Sequence, residues 1–424
     1  MAIGDIIVSL DIGASKTAAV VGQVNKFGEI EVVGYGLAKS SGIKKGRIIN
    51  YESVASSIVK AITEAEETSS LYINSAYVNI KAMNTRIEKI RFKSDVEKPD
   101  DGLSYKDLNS AIDNIKISLN KDQSEEIISI IPTLYTVNDR EYKEEPIGAF
   151  AKYFIIDADI VIANEQVLND YKKVMELAEL KVDGFILETY ATSNIVLMPE
   201  EKEMGVLMLD IGASHTEISV YKGNKLEFSS TLPVGGDHIT SDISLTFDID
   251  MEEAEKLKLQ YNLAMEAMIT NDHEVKLNTK KAIDGSSNIV KCSSIVKVIE
   301  ARVKEIYQIT RKMIAENNFI GKLECAVITG QGISNITGTE ELAVLTLKIN
   351  QVRTCSPKLI NIIKPQHLTA FGMVKYISNM GLGKLINSDV EIVEEPSFKD
   401  QFLSIINKFK EKVSFSINNK NDEE

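Results

Sequence analysis

The chain has 424 residues, 44% of them hydrophobic, and carries a formal net charge of −14. That length implies more than one domain, and the acidic balance excludes general nucleic-acid binding, which needs basic patches against phosphate. The three cysteines, Cys292, Cys325 and Cys355, are too few and too far apart for a disulfide framework or a metal knuckle, and four histidines exclude a His-rich metal site.

The N-terminus shows no basic and apolar leader, and no apolar stretch approaches the ~18 residues that span a bilayer. The chain therefore reads as soluble and cytoplasmic. Residues 5–36 predict three strands, Asp5–Leu10, Thr17–Val24 and Glu29–Tyr35, with turns at Gly13 and at Lys26-Phe27-Gly28. Val54, Ile58, Ile62 and Ala65 fall at helical spacing, so a helix follows. Residues 85–164 match nothing later in the chain and predict a small inserted α+β subdomain. It holds charged turns at Asp95–Gly102, a helix carrying Leu108, Ile112, Ile115 and Leu119, and strands at Ile127–Ile131 and Tyr153–Ile162. A second helix, with Val167, Leu168, Tyr171, Val174, Met175 and Ala178 on one face, leads to the strand Gly184–Leu187.

Residues 204–236 repeat the opening plan: Gly205–Leu209, Thr216–Tyr221, a turn at Lys222-Gly223-Asn224, then Leu226–Leu232. Residues 246–320 read as helical and charged, with Ile295, Val298, Ile299, Ile306, Ile309 and Met313 as a core stripe. Cys325–Thr329 is a short apolar strand entering the turn Gly330-Gln331-Gly332.

The string Leu-Asp-Ile-Gly-Ala-Ser occurs twice, at Leu10–Ser15 and Leu209–Ser214, each time between two strand-like runs. The copies lie too far apart for a solenoid, whose periods run about 20–50 residues, and point to two related lobes. One such string could be a common Asp/Gly turn; repetition in matched settings argues for a phosphate-binding turn in each lobe. Gly13 and Gly212 leave room for close backbone approach, and successive amides can form an anion-binding concavity. Ser15 and Ser214 add hydroxyls, and Lys16 adds a cation in the first copy only. Asp11 and Asp210 would face one another across a cleft, and two carboxylates beside a polyphosphate suit Mg²⁺. The turn at Gly330-Gln331-Gly332 would face the nucleoside, with Gly235-Gly236 a further candidate. Neither a P-loop nor a G-x-G-x-x-G string is present.

From Asn387 to Pro396 the chain is acidic and linker-like, and Ser397 can cap a last helix. Phe398, Phe402, Ile405, Ile406, Phe409 and Val413 share one face, with Lys399, Lys408, Lys410 and Lys412 on or near the other. Such a helix suits a membrane interface; the alternative is a helix docked on the body.

These features together resemble the actin/Hsp70/sugar-kinase superfamily and, within it, the FtsA family of bacterial cell-division proteins. The resemblance runs over nearly the whole chain. It is carried by LDIGASKTAAVVGQV, GVLMLDIGASHTEISVY, LPVGGDHITSDIS, EEAEKLK, AVITGQGISNITG and PQHLTAFGMVKY, and in the insert by SIIPTLYTVNDREYKEEPIGAFAKYFIIDADIVIA. It implies an α/β, two-lobed actin-like ATPase fold with duplicated RNase H-like lobes, a small inserted α+β subdomain and a C-terminal amphipathic helix. Lobe 1 would comprise residues 1–84 and 165–203, with the insert at 85–164. Lobe 2 would comprise 204–245 and 325–386, with a helical subdomain at 246–324; the linker (387–396) and the membrane-targeting helix (397–417) follow.

Carried over by position, the two phosphate loops would supply Asp11, Gly13, Ala14, Ser15, Lys16 and Thr17, and Asp210, Gly212, Ala213, Ser214, His215 and Thr216. Gly235, Gly236, Glu255 and Lys258 fall where the family binds ribose and phosphate, and Gly330, Gln331, Gly332 and Ile333 where it binds adenine. Glu188 lies where some relatives polarise the attacking water; a surface glutamate at a helix start is the other reading. Gln331 replaces a usual glycine, and His215 a usual small or hydroxyl residue. The resemblance implies an ATP- and Mg²⁺-binding filament protein with at most slow hydrolysis. It would tether the FtsZ ring to the anionic inner face of the cell membrane at the septum and meet later division proteins through the insert. A small-molecule kinase of the same fold, or another actin-like cytoskeletal or pilus-assembly protein, is the alternative.

Overall fold

A computed structural model describes residues 4–44, 46–119, 124–277, 288–355 and 365–380. The predicted linker and tail helix, with Phe398, Phe402, Ile405, Ile406, Phe409 and Val413, lie outside the described residues.

The chain opens with β1 (Ile6–Ile12), β2 (Lys16–Val24) and β3 (Ile30–Lys39), a short hairpin of β4 (Ile43–Lys44) and β5 (Arg47–Ile48), then α1 (Tyr51–Ser69) and β6 (Ser75–Ile80). The insert follows: β7 (Thr85–Asp95), α2 (Tyr105–Ser118), β8 (Glu125–Val137), β9 (Arg140–Tyr142) and β10 (Tyr153–Asn164). The chain then returns through α3 (Glu165–Leu177), β11 (Lys181–Leu187), α4 (Glu188–Val196) and α5 (Pro199–Met204). The second half runs β12 (Val206–Ile211), β13 (Thr216–Lys222), β14 (Lys225–Leu232), α6 (Gly236–Phe247) and α7 (Met251–Gln260). It closes with β15 (Glu274–Leu277), β16 (Asn288–Lys291), α8 (Cys292–Glu316), β17 (Cys325–Thr329), α9 (Thr339–Leu347), β18 (Gln351–Thr354) and α10 (Leu368–Asn379).

The two halves form sheets of one topology, β3-β2-β1-β6-β11 and β14-β13-β12-β17-β18. In each, an antiparallel triplet is extended by two parallel strands. The central strands are apolar nearly throughout because both faces are covered. On one face of the first sheet, α1 packs against the backbone of β3. A Cβ on Gly34 or Gly36 would overlap atoms of Ala61, Ala65 or Ser69 in α1, so glycine there sets the helix-to-sheet distance. On the other face, α10 meets β2 at Gly22, where a Cβ would strike Val374.

The apolar cores follow these layers. One lies between the first sheet and α1 and α3. A second joins the inner faces of both sheets through α4 and α10. A third fills the space between the second sheet and α6, α7 and α8. The insert has its own four-stranded sheet, β7-β10-β8-β9, and its own core on α2. A capping box at Ser104 and Asp107 starts α2.

Two sequence expectations are corrected. The charged stretch 246–320 is not all helix: β15 and β16 pair as a hairpin inside it. The insert also gains β7, whose alternating Ile90, Phe92 and Ser94 face inward between exposed Lys89, Arg91 and Lys93.

Candidate nucleotide and cation site

The turn after β1 and the turn after β12 open into one cleft between the lobes. It is lined by Asp11, Gly13, Ala14, Ser15 and Lys16 from one side and by Asp210, Gly212, Ala213, Ser214 and His215 from the other. Each turn is closed by one bond, from the Gly13 amide to the Lys16 carbonyl and from the Gly212 amide to the His215 carbonyl, both 2.9 Å. The amides of Ala14, Ser15, Ala213 and Ser214 donate to no carbonyl among the described residues. Two pairs of unspent donors thus face the same space, an anion-binding arrangement.

Glycine pairs build the lobe 2 wall. The Gly236 and Asp237 amides donate to the carbonyls of Gly212 and Ala213 at 2.9 and 2.8 Å, and the Gly332 amide to that of Ile211 at 2.7 Å. A Cβ on Gly235, Gly330 or Gly332 would overlap these same carbonyls. Gly330 also holds φ at +86°, which a side chain would strain. Three turns are therefore stacked backbone against backbone. The amides at the start of α6 are spent on holding the turn after β12, and Gly236, Gln331 and Gly332 line the cleft beside it.

At the floor, Asp11 stands next to last in β1 opposite Ala18, and Asp210 next to last in β12 opposite Glu217. Asn79 of β6 donates to Asp11 at 2.9 Å and to Glu188 at 3.2 Å, while its own carbonyl oxygen accepts from the Ile12 amide at 2.8 Å. Lys81 donates to Glu188 at 2.6 Å. Lys16 lies 3.6 Å from Asp11 and also donates to the Gln366 carbonyl.

Burial pushes Asp210 up to about 7 and Glu217 up to about 8, each raised further by the charge on Glu188. Burial also raises Asp11, against the pull of Lys16. Glu188 is the exception: burial works to raise it, but the charge and hydrogen bond of Lys81, with the hydrogen bond from Asn79, hold it below the usual range. Lys81 and burial drive His215 down to about 3, so its ring is neutral near pH 7, with Nδ1 3.0 Å from the Ser214 hydroxyl. One oxygen of Glu217 has no partner among the described residues. Among those residues no group of three or more His, Cys, Asp or Glu is placed to hold a metal unaided.

Most of the residues singled out from sequence line the cleft, including Glu188, Glu255 and Lys258. Lys258 bonds Thr240 at 2.9 Å and pairs with Glu255 at 2.6 Å. Four lie behind it. Thr17 bonds Ser57 of α1 at 2.8 Å, and Thr216 donates to the Val234 carbonyl at 2.7 Å. Gly235 serves the stacking of turns, and Ile333 is buried in the lobe 2 core. Sequence reasoning missed Asn79, Lys81, Glu217 and Asp237. The available signal for the first two was a polar pair punctuating the apolar run that ends at Ile80.

A sequence model of the family described as cell division protein FtsA matches residues 207–372. The chain is 28% identical to the cell division protein FtsA of Pseudomonas aeruginosa over 80% of each chain. Among solved structures, it resembles a PilM–PilN type IV pilus biogenesis complex (TM-score 0.58, 16% identity, covering 89% of this chain and 98% of that one). It also resembles MreB5 of Spiroplasma citri bound to ADP (TM-score 0.52, 12% identity, 90% and 98%). At these identities the structural likenesses show the fold, which is actin-like and α/β.

Proposed function

Because this chain belongs to the FtsA family, we propose that it is an actin-like cell-division protein that binds ATP with Mg²⁺ between its lobes. It polymerises and tethers the FtsZ ring to the cytoplasmic membrane at the septum. The observation that carries the nucleotide reading is the convergence of two identical turns, with four unspent amides, on one carboxylate-floored cleft.

The donor set fits a divalent cation. Asp11, Glu188, Asp210 and Glu217 meet there beside Lys16 and Lys81, and a divalent cation would offset the burial that, ahead of the charge on Glu188, raises Asp210 and Glu217. Asp11 and Asp210 would hold Mg²⁺, with phosphate oxygens and water as its other ligands, and the ion would offset the phosphate charge. Lys16 neutralises a second share of it. The amides of Ala14, Ser15, Ala213 and Ser214 orient the phosphates, while Glu255 and Lys258 take the ribose and Gln331 and Gly332 the base. Glu188, held ionised by Lys81, would polarise the attacking water in a slow hydrolysis.

The membrane reading rests on sequence alone, on the phenylalanine and lysine faces of residues 397–417. Among the described residues no helix is long and apolar enough to cross a membrane. Calorimetry tests the site: Asp210→Ala should abolish Mg²⁺-dependent ATP binding, and unchanged affinity would overturn the two-lobe reading.

A further inference from the structure

The first turn of α4 touches lobe 1, lobe 2, the insert and α10 within five consecutive residues. Glu188 bonds Lys81 and Asn79 of lobe 1. Thr189 meets lobe 2 twice: its hydroxyl lies 3.3 Å from that of Ser229 on β14, and its carbonyl accepts from the Tyr221 hydroxyl at 3.2 Å. The Tyr190 hydroxyl donates to Asp159, on β10 of the insert, at 2.9 Å. The Ala191 carbonyl abuts Gly372 of α10, where a Cβ would overlap it. The Thr192 hydroxyl lies 3.5 Å from Asp210. All five residues are buried, so the turn cannot shift without disturbing several partners at once.

Asp159 is 3% exposed and lies between β7 and β8 in the insert sheet. Tyr190 stacks on Tyr376 of α10, with ring centroids 5.9 Å apart, which fixes where its hydroxyl points. A buried carboxylate needs its donor, and losing that donor is costly.

We propose that the Asp159–Tyr190 hydrogen bond is the positioning contact that couples the nucleotide cleft to the inserted subdomain. This rests on the nucleotide reading above. A ligand engaging Glu188 or Asp210 tightens the first turn of α4, and the hydroxyl passes that constraint to β10. By reciprocity, a partner held by the insert changes nucleotide affinity by the same factor. Asp159 and Tyr190 touch no ligand themselves.

Hydrogen exchange on the full chain, with and without Mg²⁺-ATP, tests it. In the wild type, nucleotide should slow exchange along 157–162 of β10 by about fivefold or more. Tyr190→Phe should still bind ATP and protect the two phosphate turns, yet lose the protection of β10. Asp159→Asn, which keeps an acceptor, should retain it. If Tyr190→Phe does not fold, Asp159→Ala removes the same bond from the other side. Nucleotide-dependent protection that survives in Tyr190→Phe or Asp159→Ala would overturn the proposal. So would wild-type ATP binding with no change in β10, which leaves the nucleotide reading standing. Failure of the wild type to bind ATP would overturn both.

Discussion

Asp11, Glu188, Asp210 and Glu217 crowd around two ammonium groups, and Lys81 is the one among them with a direct 2.6 Å pair to Glu188. Burial opposes the charge on Lys81, but Glu188, and then Asp11 and Glu217, more than offset this and hold it charged. Removing one partner of a buried pair leaves a bare charge, at a cost of about 3–5 kcal/mol. Lys81→Met should therefore lower stability by about that amount in urea unfolding, and adding Glu188→Gln should restore most of it. Additive losses would mean that the pair contributes no coupling. Glu66 offers a second test, far from the cleft. It is buried on α1, accepts from the Ile73 amide at 2.8 Å, and is pushed up to about 7 by burial. Its folded pKa exceeds its unfolded one, so its contribution is intact below about 4.5 and is lost as pH rises through about 7. Glu66→Gln keeps an acceptor and removes that loss. It should gain about 1–2 kcal/mol at pH 8 and nothing near pH 4. Neither Lys81 nor Glu66 stood out in the sequence, because no motif marks a lysine or glutamate as buried. Asp11 and Asp210 did, because each recurs in an identical string.

At the scale of elements, what the sequence showed and what it hid follow from how each strand or turn is covered. Strands buried on both faces, such as β1, β12 and β17, are continuous apolar runs and were legible nearly to their ends. Two strands that alternate charged and apolar residues were not. In β7 and β15 charged residues alternate with apolar ones, so local composition masks the period of two. The turns were legible as turns, but their partners were not. That Gly330 and Gly332 lie against the turn after β12 is a long-range fact, set by parallel pairing of β12 with β17. That packing is testable. Gly332→Ala puts a methyl group onto the Gly212 carbonyl, 2.7 Å from that of Ile211 and 3.1 Å from the Gly236 amide. All three are backbone atoms, so the turn must move. The variant should lose about 1–3 kcal/mol of stability and bind ATP at least about tenfold more weakly, the equivalent of 1.4 kcal/mol. Wild-type affinity in a calorimetric titration would mean that the stacked turns do not shape the site.

Over the whole molecule, duplication is what made the fold readable: two identical strings in matched strand contexts imply two lobes, and the two sheets have matching strand orders. How the lobes meet was not readable, because α4 and α10 join them through small residues, Ala191 against Gly372, that carry no local signature. The tail is the converse case, where sequence physics must carry the argument unaided. Phe398, Phe402, Ile406, Phe409 and Val413 recur at helical spacing after an acidic linker, in a chain of net charge −14. That charge repels the body from an anionic surface, so attraction must come from the local apolar stripe and from Lys399, Lys408, Lys410 and Lys412. A large apolar side chain contributes about 1.5–3 kcal/mol when fully buried, and interfacial insertion realises part of that. Each lysine near the surface adds about 1 kcal/mol on anionic lipid, a share that fades with salt. Two charges placed on the apolar face should outweigh the rest. Phe402→Glu combined with Phe409→Glu is expected to release the protein from anionic liposomes in a flotation assay, while ATP affinity and thermal stability stay at wild-type values. Raising salt should weaken wild-type binding without abolishing it, because the apolar part persists. If the double variant still floated, or if it unfolded, the stripe would be a helix docked on the body and the anchor would lie elsewhere.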